Sequence, residues 1–184
     1  MSIKFAVVGF GHIGRRHATI INEFSGAELA AIVDVDSKAK DHDLYPKNIP
    51  FFDNIEGLIQ SDLQFDVLTI ATPNGLHAEM ANKGLEAHKH VVIEKPMGLS
   101  KLECENVVFK ALQVSKQVFV VKQNRYSPPS KWLKEVVSSG TVGEIYNVQV
   151  KIEKEKEREK EMYLSHVCRY FVKGGCYYTI KVYH

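Results

Sequence analysis

The sequence predicts an α/β protein in which a doubly wound parallel sheet is followed by an incomplete α+β sheet fragment. Three observations carry that expectation. From Lys4 to about Val121, short β-branched runs alternate with helix-like amphipathic stretches, and such alternation implies right-handed crossovers between parallel strands. The runs are apolar throughout, as strands covered by helices on both faces must be. With 184 residues, 45% apolar and 25% charged, the chain can bury roughly 70% of its unfolded surface.

The elements follow in order. Phe5-Ala6-Val7-Val8 is the first strand, and a helical pattern runs from Ile13 to Phe24. Leu29 to Val33 is a second apolar run and Asp66 to Ala71 a third. His90 to Ile93 and Gln117 to Val121 supply two more. Ser100 and Glu103 have the spacing of a capping box, so a helix starts there, with Leu102, Val107, Val108, Ala111 and Leu112 expected as its buried stripe. Pro128-Pro129 then interrupts the chain, which places a domain boundary near residue 122, between one domain over 1–122 and a second segment over 123–184. In that fragment a helix is expected over Ser130 to Ser139, then a turn over Gly140 to Gly143 and a strand over Glu144 to Val150. From Lys151 to Glu161, ten of eleven positions are charged with nearly strict sign alternation. Such a run cannot enter a core and is expected as a solvated segment or edge. The end of the chain holds five of the eight tyrosines, and Gly174-Gly175 could close a two-residue hairpin in which Phe171 faces Tyr178.

Composition excludes several function classes. The formal net charge of +2 gives no electrostatic case for nucleic acid. No window approaches 18 uninterrupted apolar residues, so no membrane helix is expected. Met1 to Phe5 has no signal-peptide layout, and the three cysteines, Cys104, Cys168 and Cys176, form no C-x-x-C pair. A reduced, cytoplasmic protein is the simplest expectation. No metal site is expected either, because His166, Cys168, Cys176 and His184 lack the short cysteine clip that zinc sites use.

The strongest chemical signal is Gly9-Phe10-Gly11-His12-Ile13-Gly14, a G-x-G-x-x-G that follows an apolar strand and opens a helix. Asp34 stands twenty residues beyond it at the end of the second apolar run. Gly9 permits the tight turn, Gly11 a close approach to a pyrophosphate, and Gly14 close packing of helix on strand. The helix start offers free N–H groups and the positive end of its dipole to the phosphates. Asp34 can accept from both hydroxyls of an adenine ribose and would repel a 2′-phosphate, so NAD is favoured over NADP. Arg15 and Arg16 could assist the phosphates or lie on an exposed helix face, and His12 and His17 are expected as loop and surface histidines.

Two further segments complete a recognisable set. Thr72-Pro73-Asn74-Gly75-Leu76-His77 and Glu94-Lys95-Pro96-Met97 each follow a strand, and they resemble the glucose–fructose oxidoreductase/inositol dehydrogenase (Gfo/Idh/MocA) family, whose hallmark is E-K-P. Lys122-Gln123-Asn124-Arg125-Tyr126-Ser127-Pro128-Pro129 is similar to NAD-dependent sugar-nucleotide 3-dehydrogenases that make lipopolysaccharide O-antigen sugars. The resemblance implies an NAD-dependent oxidoreductase acting on a sugar or UDP-sugar as a homo-oligomer. It implies that Lys95 stands beside the nicotinamide and the sugar hydroxyl that is oxidised, that Glu94 holds the nicotinamide ribose, and that Lys95–Pro96 is a cis bond. Thr72, Asn74 and His77 would line the nicotinamide half, and Gln123, Asn124 and Arg125 would contact cofactor or substrate. Family members are about twice as long, and the likeness fades near Lys151. The expectation is a truncated or frameshifted product or a degenerate relative, with His184 in no catalytic role. The alternative is a non-catalytic NAD-binding module that associates through exposed strand edges.

Overall fold

A computed structural model describes residues 2–140, 143–144, and the backbone of 147–154, 168–172 and 176–183. The chain divides into two compact units, Met1–Val121 and Lys122–His184.

The first unit is a six-stranded parallel sheet. Its strands are β1 (Ile3–Val8), β2 (Ala27–Val33), β3 (Phe51–Phe52), β4 (Val67–Ile70), β5 (His90–Ile93) and β6 (Val118–Val120). They lie in the order β3-β2-β1-β4-β5-β6, the doubly wound order of the Rossmann fold. Every apolar run expected as a strand in this unit is one. The short β3 is an addition, since two residues are too few to leave a periodic pattern.

Helices cover both faces. α1 (His12–Glu23) packs Ala18 and Ile21 against Val7, Leu29 and Ile32. On the other face α2 (Ile55–Gln60), α3 (His77–Glu86) and α4 (Lys101–Gln113) bury Leu58, Leu85 and Val107 against Ala6, Leu68, Ile70 and Ile93. Burial of the leucine, isoleucine and valine side chains among these stabilises the layers by about 2 kcal/mol each. One irregularity lies in β2. Phe5 pairs with Leu29 but Ala6 pairs with Ala31, so Ala30 is an extra residue, and Ala30 and Ala31 both join the core on the α2–α4 face. A bulge of this kind puts two successive side chains on one face.

The capping box of α4 is present. Ser100 Oγ accepts from the Glu103 amide at 3.2 Å, and Glu103 Oε2 accepts from the Ser100 amide at 3.2 Å. Its expected stripe is corrected, because only Val107 and Ala111 are buried, while Leu102, Val108 and Leu112 are exposed. A helix resting on a flat sheet touches it along a narrow row spaced by four, and Leu102, Val108 and Leu112 fall outside that row.

The second unit opens with a 3-10 turn over Gln123–Tyr126 and α5 (Pro128–Ser138), which starts on the two prolines, positions that suit a first helical turn. Three antiparallel strands follow: β7 (Asn147–Lys154), β8 (Cys168–Val172) and β9 (Cys176–Tyr183), in the order β7-β9-β8. The start of the charged run, Lys151–Lys154, therefore lies on an edge strand. The hairpin register is one step from the expectation. Val172 pairs with Cys176 and Phe171 with Tyr177 rather than Tyr178, so three residues connect the strands rather than two. The rest of the charged run, the Gly174-Gly175 turn, His166 and His184 lie outside the described residues.

Candidate functional site

The strand order reverses between β1 and β4, and ligands of such sheets enter the crevice beyond the carboxyl ends of those strands. The candidate residues of the first unit gather there, on the loops after β1, β2, β4 and β5.

Gly9 ends β1 with φ of 88°, a left-handed value. A Cβ on Gly9 would stand 2.7 Å from the Ala71 carbonyl oxygen, so the loops after β1 and β4 touch at this point. A Cβ on Gly14, in the first turn of α1, would overlap the Gly9 carbonyl oxygen. Packing thus demands glycine at both positions. Gly11 differs: nothing lies within 4 Å of where its Cβ would stand. That leaves an open cradle at the start of α1. α1 begins with no acidic residue in its first turn and no side-chain cap on Gly11, so its first N–H groups remain available to an anion. His12 and Ile13 are both exposed on that turn. Gly11→Ala should therefore lower the melting temperature by only about 2 °C yet weaken NADH binding at least about tenfold. Calorimetry and thermal melts of the variant check this, and unchanged affinity would mean that the cradle does not hold the diphosphate.

Asp34 follows β2 and is fixed by two amides. Its Oδ2 accepts from the Phe10 amide at 2.6 Å and its Oδ1 from the Asp36 amide at 2.9 Å. Each oxygen keeps a lone pair for a ribose hydroxyl. Arg15 donates through Nη1 to the Phe10 carbonyl at 3.3 Å, bracing the loop from α1, while Arg16 is exposed. Tyr45 sets its ring edge-on to Phe10, with centroids 5.5 Å apart, and donates to the Ile49 carbonyl at 2.8 Å. Burial pushes the Tyr45 phenol pKa up, so it remains a donor.

Two histidines tie the loop after β5 to its neighbours. His17 corrects the expectation of a surface residue. It is four-fifths buried, with Nε2 2.8 Å from Glu94 Oε1. The sequence holds one faint signal for this: His17 follows Gly14 by three residues on α1 and so shares its side of the helix. Nothing local links that side to residue 94.

His77, the first residue of α3, is 1% exposed. Its Nδ1 lies 2.7 Å from the Pro96 carbonyl oxygen and its Nε2 2.7 Å from the Thr72 carbonyl oxygen. Both ring nitrogens are thus engaged by backbone, which leaves no free polar edge for a cofactor. Lys95–Pro96 is a cis peptide. Lys95 itself is exposed, and its amide donates to Glu94 Oε2 at 3.3 Å. Thr72 Oγ1 is enclosed without a hydrogen-bond partner, and Asn74 is exposed on the same loop. Gln123, Asn124 and Arg125 belong to the second unit, all exposed on its opening 3-10 turn. Among the described residues no three His, Cys, Asp or Glu side chains cluster as metal ligands, and no helix is long and apolar enough to cross a membrane.

A reversed sheet order, a glycine cradle at a helix start and an acid after β2 together define a dinucleotide-binding domain. A family model described as "Oxidoreductase family, NAD-binding Rossmann fold" matches residues 3–122, and the chain belongs to this GFO/IDH/MocA family. It is 29% identical over 151 residues to glucose-6-phosphate 3-dehydrogenase of Bacillus subtilis, covering 82% of this chain and 42% of that protein. It is 28% identical over 148 residues to inositol 2-dehydrogenase of Salmonella typhimurium, covering 78% and 44%. Among solved structures it is similar to the WlbA dehydrogenase of Bordetella pertussis in complex with NADH and UDP-GlcNAcA. That match has a TM-score of 0.76 and 31% identity, covering 82% of this chain and 46% of that one. The chain thus spans less than half the length of these relatives.

Proposed function

We propose that this chain is an NAD-dependent dehydrogenase that oxidises a hydroxyl of a sugar nucleotide, in the manner needed to make lipopolysaccharide O-antigen sugars. The observation that supports it most is the cradle at Gly11 beside an Asp34 carboxylate already oriented by two amides. The amides at the start of α1 would hold the diphosphate and Asp34 the adenine ribose. Glu94 would hold the nicotinamide ribose, and Thr72 and Asn74 would line that half of the cofactor. Bound NAD supplies the hydride acceptor. Lys95 would position the hydroxyl and assist removal of its proton as the C–H bond gives up its hydride to the bound NAD and the carbonyl forms. Gln123 is proposed to reach the cofactor, and Asn124 and Arg125 the substrate. A UDP-sugar is favoured because the WlbA dehydrogenases, crystallised with NADH and UDP-GlcNAcA, match at 31% identity.

The test is NADH formation by the full chain with UDP-sugars, beside NAD binding by calorimetry. Reduction of NAD with a UDP-sugar supports the proposal. Tight NAD binding without turnover on any sugar nucleotide would instead favour a non-catalytic module that associates through strand edges, β7 and β8 being the outer strands of their sheet among the described residues.

A further inference from the structure

We propose that His77 acts as a positioning residue for Lys95, donating through both ring nitrogens at once to tie the loop after β4 to the Lys95–Pro96 turn. The geometry carries this. Nδ1 and Nε2 each lie 2.7 Å from a carbonyl oxygen, that of Pro96 on one side and that of Thr72 on the other. A carbonyl can only accept, so each contact requires an N–H on that nitrogen, and a ring that satisfies both carries two protons. The ring is 1% exposed, so water does not take either role. No carboxylate hydrogen-bonds it among the described residues; Glu94 is held by His17 instead. The two carbonyl dipoles must then compensate the charge, while the start of α3, where His77 stands, opposes it.

The consequence reaches Lys95 through its neighbours. Pro96 is anchored by His77 and Glu94 by His17, so the residue between them is held by its backbone on both sides while its side chain stays exposed. That Lys95 meets cofactor and sugar rests on the function proposed above; the two contacts of His77 do not.

The experiment is a two-bond proton–nitrogen NMR spectrum of the full chain labelled with 15N-histidine, together with the His77→Gln variant. Both His77 nitrogens should resonate as protonated nitrogens. Glutamine carries both its N–H donors on one nitrogen and presents an acceptor oxygen in place of the other, so it can face only one of the two carbonyls. His77→Gln should therefore displace the Lys95 and Met97 amide signals. A bare-nitrogen resonance from His77, or unmoved Lys95 signals in the variant, would overturn the proposal. Should His77→Gln fail to fold, the wild-type spectrum decides alone. If the spectrum fits but no UDP-sugar is oxidised, the strut stands and the dehydrogenase function falls.

Discussion

Lys95→Met is expected to lower NAD reduction with a UDP-sugar by about a thousandfold, while the dissociation constant for NADH changes less than about threefold. The split follows from position. Lys95 contributes its amide to Glu94, which methionine retains, and its side chain is exposed. Under the proposed function, only proton transfer and orientation of the hydroxyl would be removed. Steady-state kinetics beside calorimetry measure both quantities. Equal loss of binding and rate would make Lys95 a cofactor ligand, and an unchanged rate would make it a surface lysine.

Gly14→Ala is expected to destabilise the protein by about 3 kcal/mol or more, lowering the melting temperature by about 6 °C or more. The added methyl would overlap the Gly9 carbonyl oxygen, a backbone atom that no side-chain rotation can clear. Relief requires moving α1 from β1, and with it the cradle, so NADH binding should be lost together with stability. This contrasts with Gly11→Ala, where space is open and only binding should suffer. A Gly14→Ala protein that melts within about 2 °C of the wild type would show that α1 can shift without cost.

Much of the first unit is legible in the sequence because its parallel strands are apolar on both faces, as β4 shows with four buried residues in a row. The capping box is legible for a local reason as well, since Ser100 and Glu103 are three apart and need no distant partner. What escapes is set by contacts across the fold. His17 meets a residue 77 positions away, and no periodicity announces that. The motif assigns His77 a cofactor-facing role, but burial turns both its nitrogens to backbone. The outer side of α4 shows the converse. Leu102, Val108 and Leu112 look like core residues in sequence and are exposed, because the helix has more apolar positions here than the sheet can cover.

The extra residue at Ala30 sets which way the acid after β2 points. Leu29 lies on the α1 side of the sheet, and Ile32 returns to that side three residues later rather than two or four. Asp34, two further on, therefore shares the side of Phe10 and meets its amide. Under strict alternation from Leu29, the carboxylate would project toward the opposite layer. Removing Ala30 would force either Leu29 or Asp34 onto the wrong side, so the direction of this carboxylate depends on a parity of residue number.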